Sequence, residues 1–447
     1  MLIRYSFQNW LSFYQEAAFS MIASKELQHN DRVARVNKFD LRLLPVAAIY
    51  GGNASGKTNF VKSLAFAKSF VVRGVHPDAP IPVTPFLLDP GAENEPCTFH
   101  FELLIGDMVY DYSFSLTAKS VTEERLVRIN SSSETVLYDR KAQKLEALHG
   151  SLKPKDFYRF AFQGTKENQL YLTNAVSQNV TDFRPVYDWF KSSLVLIAPD
   201  FRVENFEDHL EEDQPLYGVM SSSLAQLDTG IAHLGAEEIP LENLPLPDNL
   251  IAVVNHVIKS GGIHRIHNRD TNERFVLTAR ADGGIRVRKL VSNHNRSDGS
   301  RIKFDLNQES SGTQRVIDLL PAFIEASSAQ CDKVYVIDEL DRSMHTLLTR
   351  RLLEAYLDSC NAASRSQLVF TTHDVFLMDQ DLLRRDEMWV AERDAGGQSQ
   401  LFSFAEYKEL RNDTDIRKRY LQGRLGGVPR ILLSGELAAS APVNDGV

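Results

Sequence analysis

Apolar and polar residues alternate from the start of the chain, and Leu2-Ile3-Arg4-Tyr5-Ser6-Phe7 predicts a half-buried strand. Leu43–Tyr50 is instead a mostly apolar run, the pattern of a buried strand. A glycine-rich turn follows it, and Asn59–Val72 then carries apolar residues at helical spacing. Residues 97–129 return to alternation, with turn points at Gly106-Asp107 and Ala118-Lys119, which predicts an antiparallel meander. Arg184–Lys191 has a helical pattern, and the segment beyond it, with Pro215, Pro240, Pro245 and Pro247, predicts loops and short helices. Arg274–Arg280 and Ile285–Val291 flank Ala281-Asp282-Gly283-Gly284, a hairpin signature. From residue 310 the order is helix (Gln314–Ser328), strand (Lys333–Ile337), helix (Leu347–Ser359) and strand (Gln367–Thr371). That order predicts an α/β fold with a parallel core sheet, an antiparallel β meander and a mixed helical insertion. The expected divisions are residues 1–180, an insertion at 181–300, a second lobe at 301–405 and a tail at 406–447. No internal repeat or long heptad run is present, so no coiled-coil arm is expected.

Composition narrows the class. At 447 residues, 43% hydrophobic and 24% charged, the chain has the make-up of a soluble globular protein of two or three sub-domains. No apolar run approaches the ~20 residues of a membrane span, and MLIRYSFQNW lacks the apolar stretch of a signal peptide. Cys97, Cys331 and Cys360 are far apart, which predicts reduced, partly buried thiols in a cytoplasmic protein. The net charge of −9 argues against a generally basic nucleic-acid coat. The charge is uneven, however: residues 203–248 hold eleven Asp/Glu and no Lys/Arg, and residues 259–303 hold eleven Lys/Arg against four Asp/Glu. Such a reversal is either a partner surface or two solvated faces of one sub-domain.

The chemistry-bearing motifs fall at the ends of predicted strands. Gly51-Gly52-Asn53-Ala54-Ser55-Gly56-Lys57-Thr58 matches G-x-x-x-x-G-K-[ST] between an apolar strand and a helix. Its glycines let successive N–H groups turn toward phosphate oxygens, and the helix start adds its dipole. Lys57 supplies a point charge for the β- and γ-phosphates of ATP, and the Thr58 hydroxyl a ligand for Mg2+. The strand Val334-Tyr335-Val336-Ile337 ends in Asp338-Glu339, where Asp338 is placed to hold Mg2+ through its water shell. Glu339 is the candidate to polarise an attacking water; the simpler alternative is that either acid caps the next helix. Glu309-Ser310-Ser311-Gly312-Thr313-Gln314 puts small hydroxyl residues and a glycine at the start of a long helix, again an anion site. Asp379-Gln380-Asp381, beside Leu377, Met378, Leu382 and Leu383, predicts an exposed helical face and not a metal site.

The order phosphate loop, S-x-G before a helix, strand-DE, then a histidine after a strand resembles ATP-binding-cassette (ABC) type P-loop ATPases. More narrowly, GGNASGKT, ESSGTQRVIDLLP and VIDELDRSMHTLLTRRLLEAY resemble the SMC, RecF and OLD-like branch, and a bacterial subgroup labelled AAA family ATPases. Asn9-Trp10-Leu11-Ser12-Phe13, Leu383–Trp389 and Tyr420-Leu421-Gln422-Gly423-Arg424 are also similar to that subgroup.

The resemblance implies that Ser310 and Gly312 of one subunit contact the γ-phosphate held by another, so that two copies share ATP sites in a homodimer or higher oligomer. It implies that Leu340-Asp341-Arg342-Ser343 is a D-loop and that His373 senses the γ-phosphate. Gln178 is the position offered for the family's Q-loop glutamine; a solvent-exposed glutamine is the alternative. Roughly 70 residues follow His373, too few for the metal-binding nuclease domain of OLD proteins, so no intrinsic nuclease is expected. Many such ATPases serve anti-phage or abortive-infection systems beside a separately encoded nuclease or toxin, which implies an effector partner. A RecF-like repair ATPase, touching nucleic acid through 259–303, is the alternative.

Overall fold

The computed structural model describes residues 1–199, 215–227, 229–244, 264–268, 273–280, 284–407 and 415–427. Its first part runs β1 (Leu2–Gln8), β2 (Ala17–Ser20), β3 (Ala34–Val36), β4 (Leu41–Leu43), β5 (Val46–Tyr50) and α1 (Lys57–Arg73). Five strands follow: β6 (Cys97–Ile105), β7 (Met108–Leu116), β8 (Val121–Ile129), β9 (Glu134–Lys141) and β10 (Lys144–Leu148). Then come α2 (Lys155–Gln163), α3 (Tyr171–Ser177), α4 (Arg184–Asp188), β11 (Leu194–Ile197) and α5 (Pro215–Gln226). The next strands are β12 (His233–Ile239), β13 (His264–His267), β14 (Arg274–Ala279), β15 (Ile285–Asn295) and β16 (Arg301–Asp305). The last part runs α6 (Ser311–Ala326), β17 (Val334–Ile337), α7 (Thr346–Ser359), β18 (Gln367–Thr371), β19 (Met388–Arg393), β20 (Ser399–Ser403) and α8 (Ile416–Leu421).

Three sheets organise these elements. The core sheet has the order β11-β17-β18-β5-β19-β20, parallel throughout except for β20. Its strands are apolar at successive positions because both faces are covered. Ala47, Ile49, Val334, Val336 and Val369 join α1 and the antiparallel sheet on one side. Val46, Ala48, Tyr50, Tyr335, Ile337, Leu368 and Phe370 join α6 and α7 on the other. The predicted α/β architecture is therefore present.

The meander turns where expected, after Ile105 and Leu116, but extends further into β9 and β10 and pairs through β6 with β1. The apolar run Leu43–Tyr50 is not one strand: β4 ends at Leu43, and Pro45, which has no N–H to give a ladder, precedes β5. The helix expected over Arg184–Lys191 gives way to a π-helical turn at Trp189–Ser193. β14 and β15 form the predicted hairpin, whose turn residues 281–283 lie outside the described residues. They belong to a small antiparallel sheet, β12-β15-β14-β13 with β16 on β15, inserted ahead of α6. β11, within the 181–300 span expected as insertion, lies in the core sheet beside β17. Among the described residues no helix is long and apolar enough to cross a membrane.

One buried side chain ties the antiparallel sheet to the core sheet. Gln367 opens β18, fully buried; its Oε1 accepts from Leu2 N–H at 2.6 Å, and its Nε2 donates to the carbonyls of Leu2 and Leu44 at 3.0 and 3.2 Å. Gln367→Met keeps the volume but strands these backbone groups. It is expected to lower unfolding stability by about 2–4 kcal/mol, read as a lower denaturation midpoint at unchanged m-value.

Candidate functional site

Parallel pairing brings three motifs to one edge. β18 lies between β17 and β5, with Ile337 opposite Phe370, and Phe370 opposite Ala48. The carboxyl ends of these strands therefore meet, where ligands of open α/β sheets bind. The chain leaves β5 through Gly51–Gly56, leaves β17 into Asp338-Glu339, and leaves β18 into Thr372-His373.

The loop geometry requires its glycines. Gly51 has φ +150°, and a Cβ there would lie 2.4 Å from the Ala391 carbonyl oxygen. Gly56 has φ +111° and would meet Ser399 Oγ at 2.5 Å. As N-cap of the 17-residue α1, Gly56 offers no side-chain acceptor to the first N–H groups of the helix. Ser55 Oγ is buried and has no hydrogen-bond partner. Uncapped N–H groups, an orphaned hydroxyl and a lysine are a donor set suited to an anion.

Lys57 Nζ donates to the carbonyls of Gly51 and Gly52 at 2.7 and 2.9 Å and lies 3.5 Å from His373 Nδ1. Burial pushes its pKa down to about 8, although Asp338, Asp341 and Glu339 oppose the shift. Burial and the Lys57 charge lower the His373 pKa, which keeps that imidazole neutral near pH 7. A cavity of ≈ 440 Å³ is lined by Asn53–Asn59, Glu339 and His373, together with Leu11, Ser12, Thr84–Leu88, Arg393 and Gly397. Its size and its mixed polar and apolar walls suit a nucleotide.

Asp338 is 2% exposed. Thr371 Oγ1 donates to Asp338 Oδ1 at 2.6 Å and accepts from the Glu339 N–H at 2.8 Å. One hydroxyl thus fixes both acids. It engages one oxygen of Asp338; a carboxylate and a threonine hydroxyl such as that of Thr58 are donor types that a hard cation takes. Glu339 has φ +51°, a left-handed conformation that a non-glycine residue adopts at a cost of about 1–3 kcal/mol and that recurs at active sites. Thr371 was missed from sequence; its place at the end of a buried strand, two residues before His373, was the available signal.

Ser310 and Gly312 do not line this cavity. Ser310 caps α6 through Oγ, which accepts from Thr313 N–H at 3.1 Å. A Cβ on Gly312 would lie 2.6 Å from the carbonyl oxygen of Ser343, in the expected D-loop. Arg315, buried on α6, reaches the Asp338 carbonyl at 3.4 Å. Gln178, at the C-terminus of α3, is likewise outside the cavity lining.

One sequence expectation changes. Asp379 and Asp381 lie not on a helix but in a turn, where the neighbouring leucines anchor irregular chain to the core; Asp379 binds Arg350 Nη1 at 2.6 Å. Most of the acidic residues at 203–248 lie outside the described residues, but part of the basic stretch is ion-paired at the insertion sheet. Arg280 and Arg286 pair with Glu238, Lys303 with Glu237, and Lys289 with Glu273 and Asp305. These contacts neutralise much of the described part of the basic stretch.

A family described as "AAA domain, putative AbiEii toxin, Type IV TA system" matches residues 46–379, from the first residue of β5 to just past His373. The chain belongs to this family. It is thus an AAA-domain ATPase, as its motif order led us to expect. Among solved structures it is similar to one described as "Crystal structure of the SmcHead bound to the C-winged helix domain of ScpA", at 12% identity and TM-score 0.38. That match covers 90% of this chain and 97% of the other, a likeness too slight to bear on fold or function. No curated protein matches the chain.

Thr371→Val keeps the shape of the AAA-domain site but removes both hydrogen bonds. It is expected to cost about 1–3 kcal/mol of stability and to lower ATP turnover about 10- to 100-fold by misplacing the acids, with ATP affinity little changed. The lowered Lys57 pKa sets the pH dependence of binding: the lysine is charged below about 8 and neutral above. ATP is expected to bind about tenfold more weakly at pH 9 than at pH 7; isothermal titration should show this loss in the wild type and not in Lys57→Met.

Proposed function

We propose that this AAA-domain protein is an ATP-hydrolysing switch that closes as a dimer around nucleotide and controls a separately encoded effector, a nuclease or toxin, in anti-phage defence. The observation that carries the catalytic part is the meeting of Lys57, His373 and Glu339 at one cavity, with Thr371 bridging Asp338 and Glu339. In this reading Gly51–Thr58 wraps the β- and γ-phosphates with backbone N–H groups, and Lys57 turns from its loop carbonyls toward them. Thr58 and Asp338 hold Mg2+, which supplies charge neutralisation at the phosphates. Glu339 orients and polarises the water that attacks the γ-phosphorus. His373 meets the γ-phosphate as a hydrogen-bonding neutral imidazole.

Dimer closure rests on the place of Ser310 and Gly312, outside their own cavity and at the start of a 16-residue helix. A helix start is a ready anion site, and a second subunit's γ-phosphate is the ligand we assign to it. Contacts made only with the triphosphate then give the differential free energy between closed and open pairs. The effector and the defence role rest on the family's toxin–antitoxin description and on the motif resemblance. We prefer this reading to direct DNA binding because Arg280, Arg286, Lys289 and Lys303 are already ion-paired.

Wild-type protein is expected to turn over ATP, and Glu339→Gln to lose at least 100-fold of that rate while retaining ATP affinity, an effect of the size seen for essential proton-handling groups (about 10²–10⁴). Equal turnover in the two proteins would remove Glu339 from its role. With Mg2+ and ATP, Glu339→Gln should run as a dimer by light scattering, and Ser310→Arg in that background as a monomer.

A further inference from the structure

Gly52, second residue of the phosphate loop, is gripped from two directions. Its carbonyl accepts from Lys57 Nζ at 2.9 Å and from Ser55 N–H at 3.3 Å. Its N–H donates at 2.9 Å to the carbonyl of Gly427, far along the chain. The Gly52 peptide therefore joins the C-terminal segment to the lysine of the loop.

That segment is itself firmly seated. Asp415 caps α8 by accepting from Lys418 N–H at 2.9 Å, and Ile416, Tyr420 and Leu425 are buried in the core. Tyr420 Oη donates to the Gly427 carbonyl at 3.0 Å, and Tyr407 Oη to the Leu425 carbonyl at 2.9 Å. Gly426 and Gly427 have φ +72° and +70°, and they lie flush on β19, the strand beside β5. A Cβ on Gly427 would meet Val390 Cγ1 at 2.6 Å and Tyr420 Cε2 at 3.1 Å. Tyr420 and the two close-packed glycines thus aim one carbonyl at one loop N–H.

We infer that Leu425–Gly427, anchored by α8, is a strap that positions the phosphate loop for nucleotide capture, with Gly427 and Tyr420 acting through Gly52 on Lys57. This rests on the reading of Gly51–Thr58 as the nucleotide site. A donor of the loop is held from behind by protein, so the loop keeps its curl without drawing on the ligand for it. The strap touches the loop and not Asp338 or Glu339, so it sets affinity and leaves the chemical step alone.

Three variants of the full chain test this. Gly427→Ala forces the strap off Val390. Tyr420→Phe removes only the hydroxyl that steadies the Gly427 carbonyl, and it decides the matter if Gly427→Ala does not fold. Gly423→Ala is the control: its φ of +72° imposes the same backbone strain, but nothing lies within 4 Å of its Cβ. Gly427→Ala is expected to raise the ATP Kd and KM about three- to tenfold, the factor for one hydrogen bond, with kcat within about twofold. Tyr420→Phe should move both constants in the same direction by about two- to threefold, and Gly423→Ala should match the wild type. Binding by Gly427→Ala and Tyr420→Phe indistinguishable from Gly423→Ala overturns the strap while leaving the nucleotide site intact. A fall in kcat at unchanged KM overturns it too. Failure of the wild type itself to bind ATP overturns the underlying site assignment and the strap with it.

Discussion

The site depends on where β18 sits. Parallel hydrogen bonding places it between β17 and β5, so the chain that follows it enters the gap between the acidic pair and the phosphate loop. Thr371 fixes Asp338 and Glu339 on the β17 side. His373, two residues on, approaches Lys57 of the β5 loop. A shift of β18 by one residue would turn every side chain to the opposite face and take both Thr371 and His373 away from the motifs they meet. Burial of Gln367 at the other end of β18 guards against that slip, because its amide fits only one alignment with Leu2 and Leu44.

The same edge concentrates unfavourable features that packing sustains. Lys57 is desolvated beside carbonyls, Glu339 is held at positive φ, and Ser55 Oγ has no partner. Each costs stability in the folded chain, and such features gather at functional sites. The core on either side of the sheet is large and continuous, which is why such a site is tolerated.

The insertion sheet stands close to this machinery. Arg274 of β14 pairs with Asp318 of α6 at 2.5 Å, both buried. Ser292 and His294 of β15 bind the Glu309 carboxylate, which immediately precedes Ser310. Among the described residues, Arg280, Arg286, Lys289 and Lys303 are paired at this sheet, and Arg274 ties it to α6. Among the described residues, exposed pairs such as Lys303 with Glu237 add little to stability; buried Arg274 with Asp318 fixes position.

Local pattern was enough to locate the phosphate loop, the meander, the buried strands and Asp338-Glu339, because each is written within a few neighbouring residues as periodicity or as a glycine-lysine spacing. It misjudged Asp379-Gln380-Asp381, since leucines flanking a turn have the same spacing as a helical face, and it split neither Leu43 from Val46 nor opposed charges from their partners. Thr371 had only its place at a strand end, two residues before His373, as a local signal, and the Gly52–Gly427 bond and the seating of Gly312 against Ser343 had none. They join residues tens to hundreds of positions apart, which only the packed chain brings into contact. The sequence by itself determined which chemical groups this protein carries and which strands and helices bear them. The tertiary structure decided their mutual geometry, because strand order and register are set by packing between distant segments and not by any one of them.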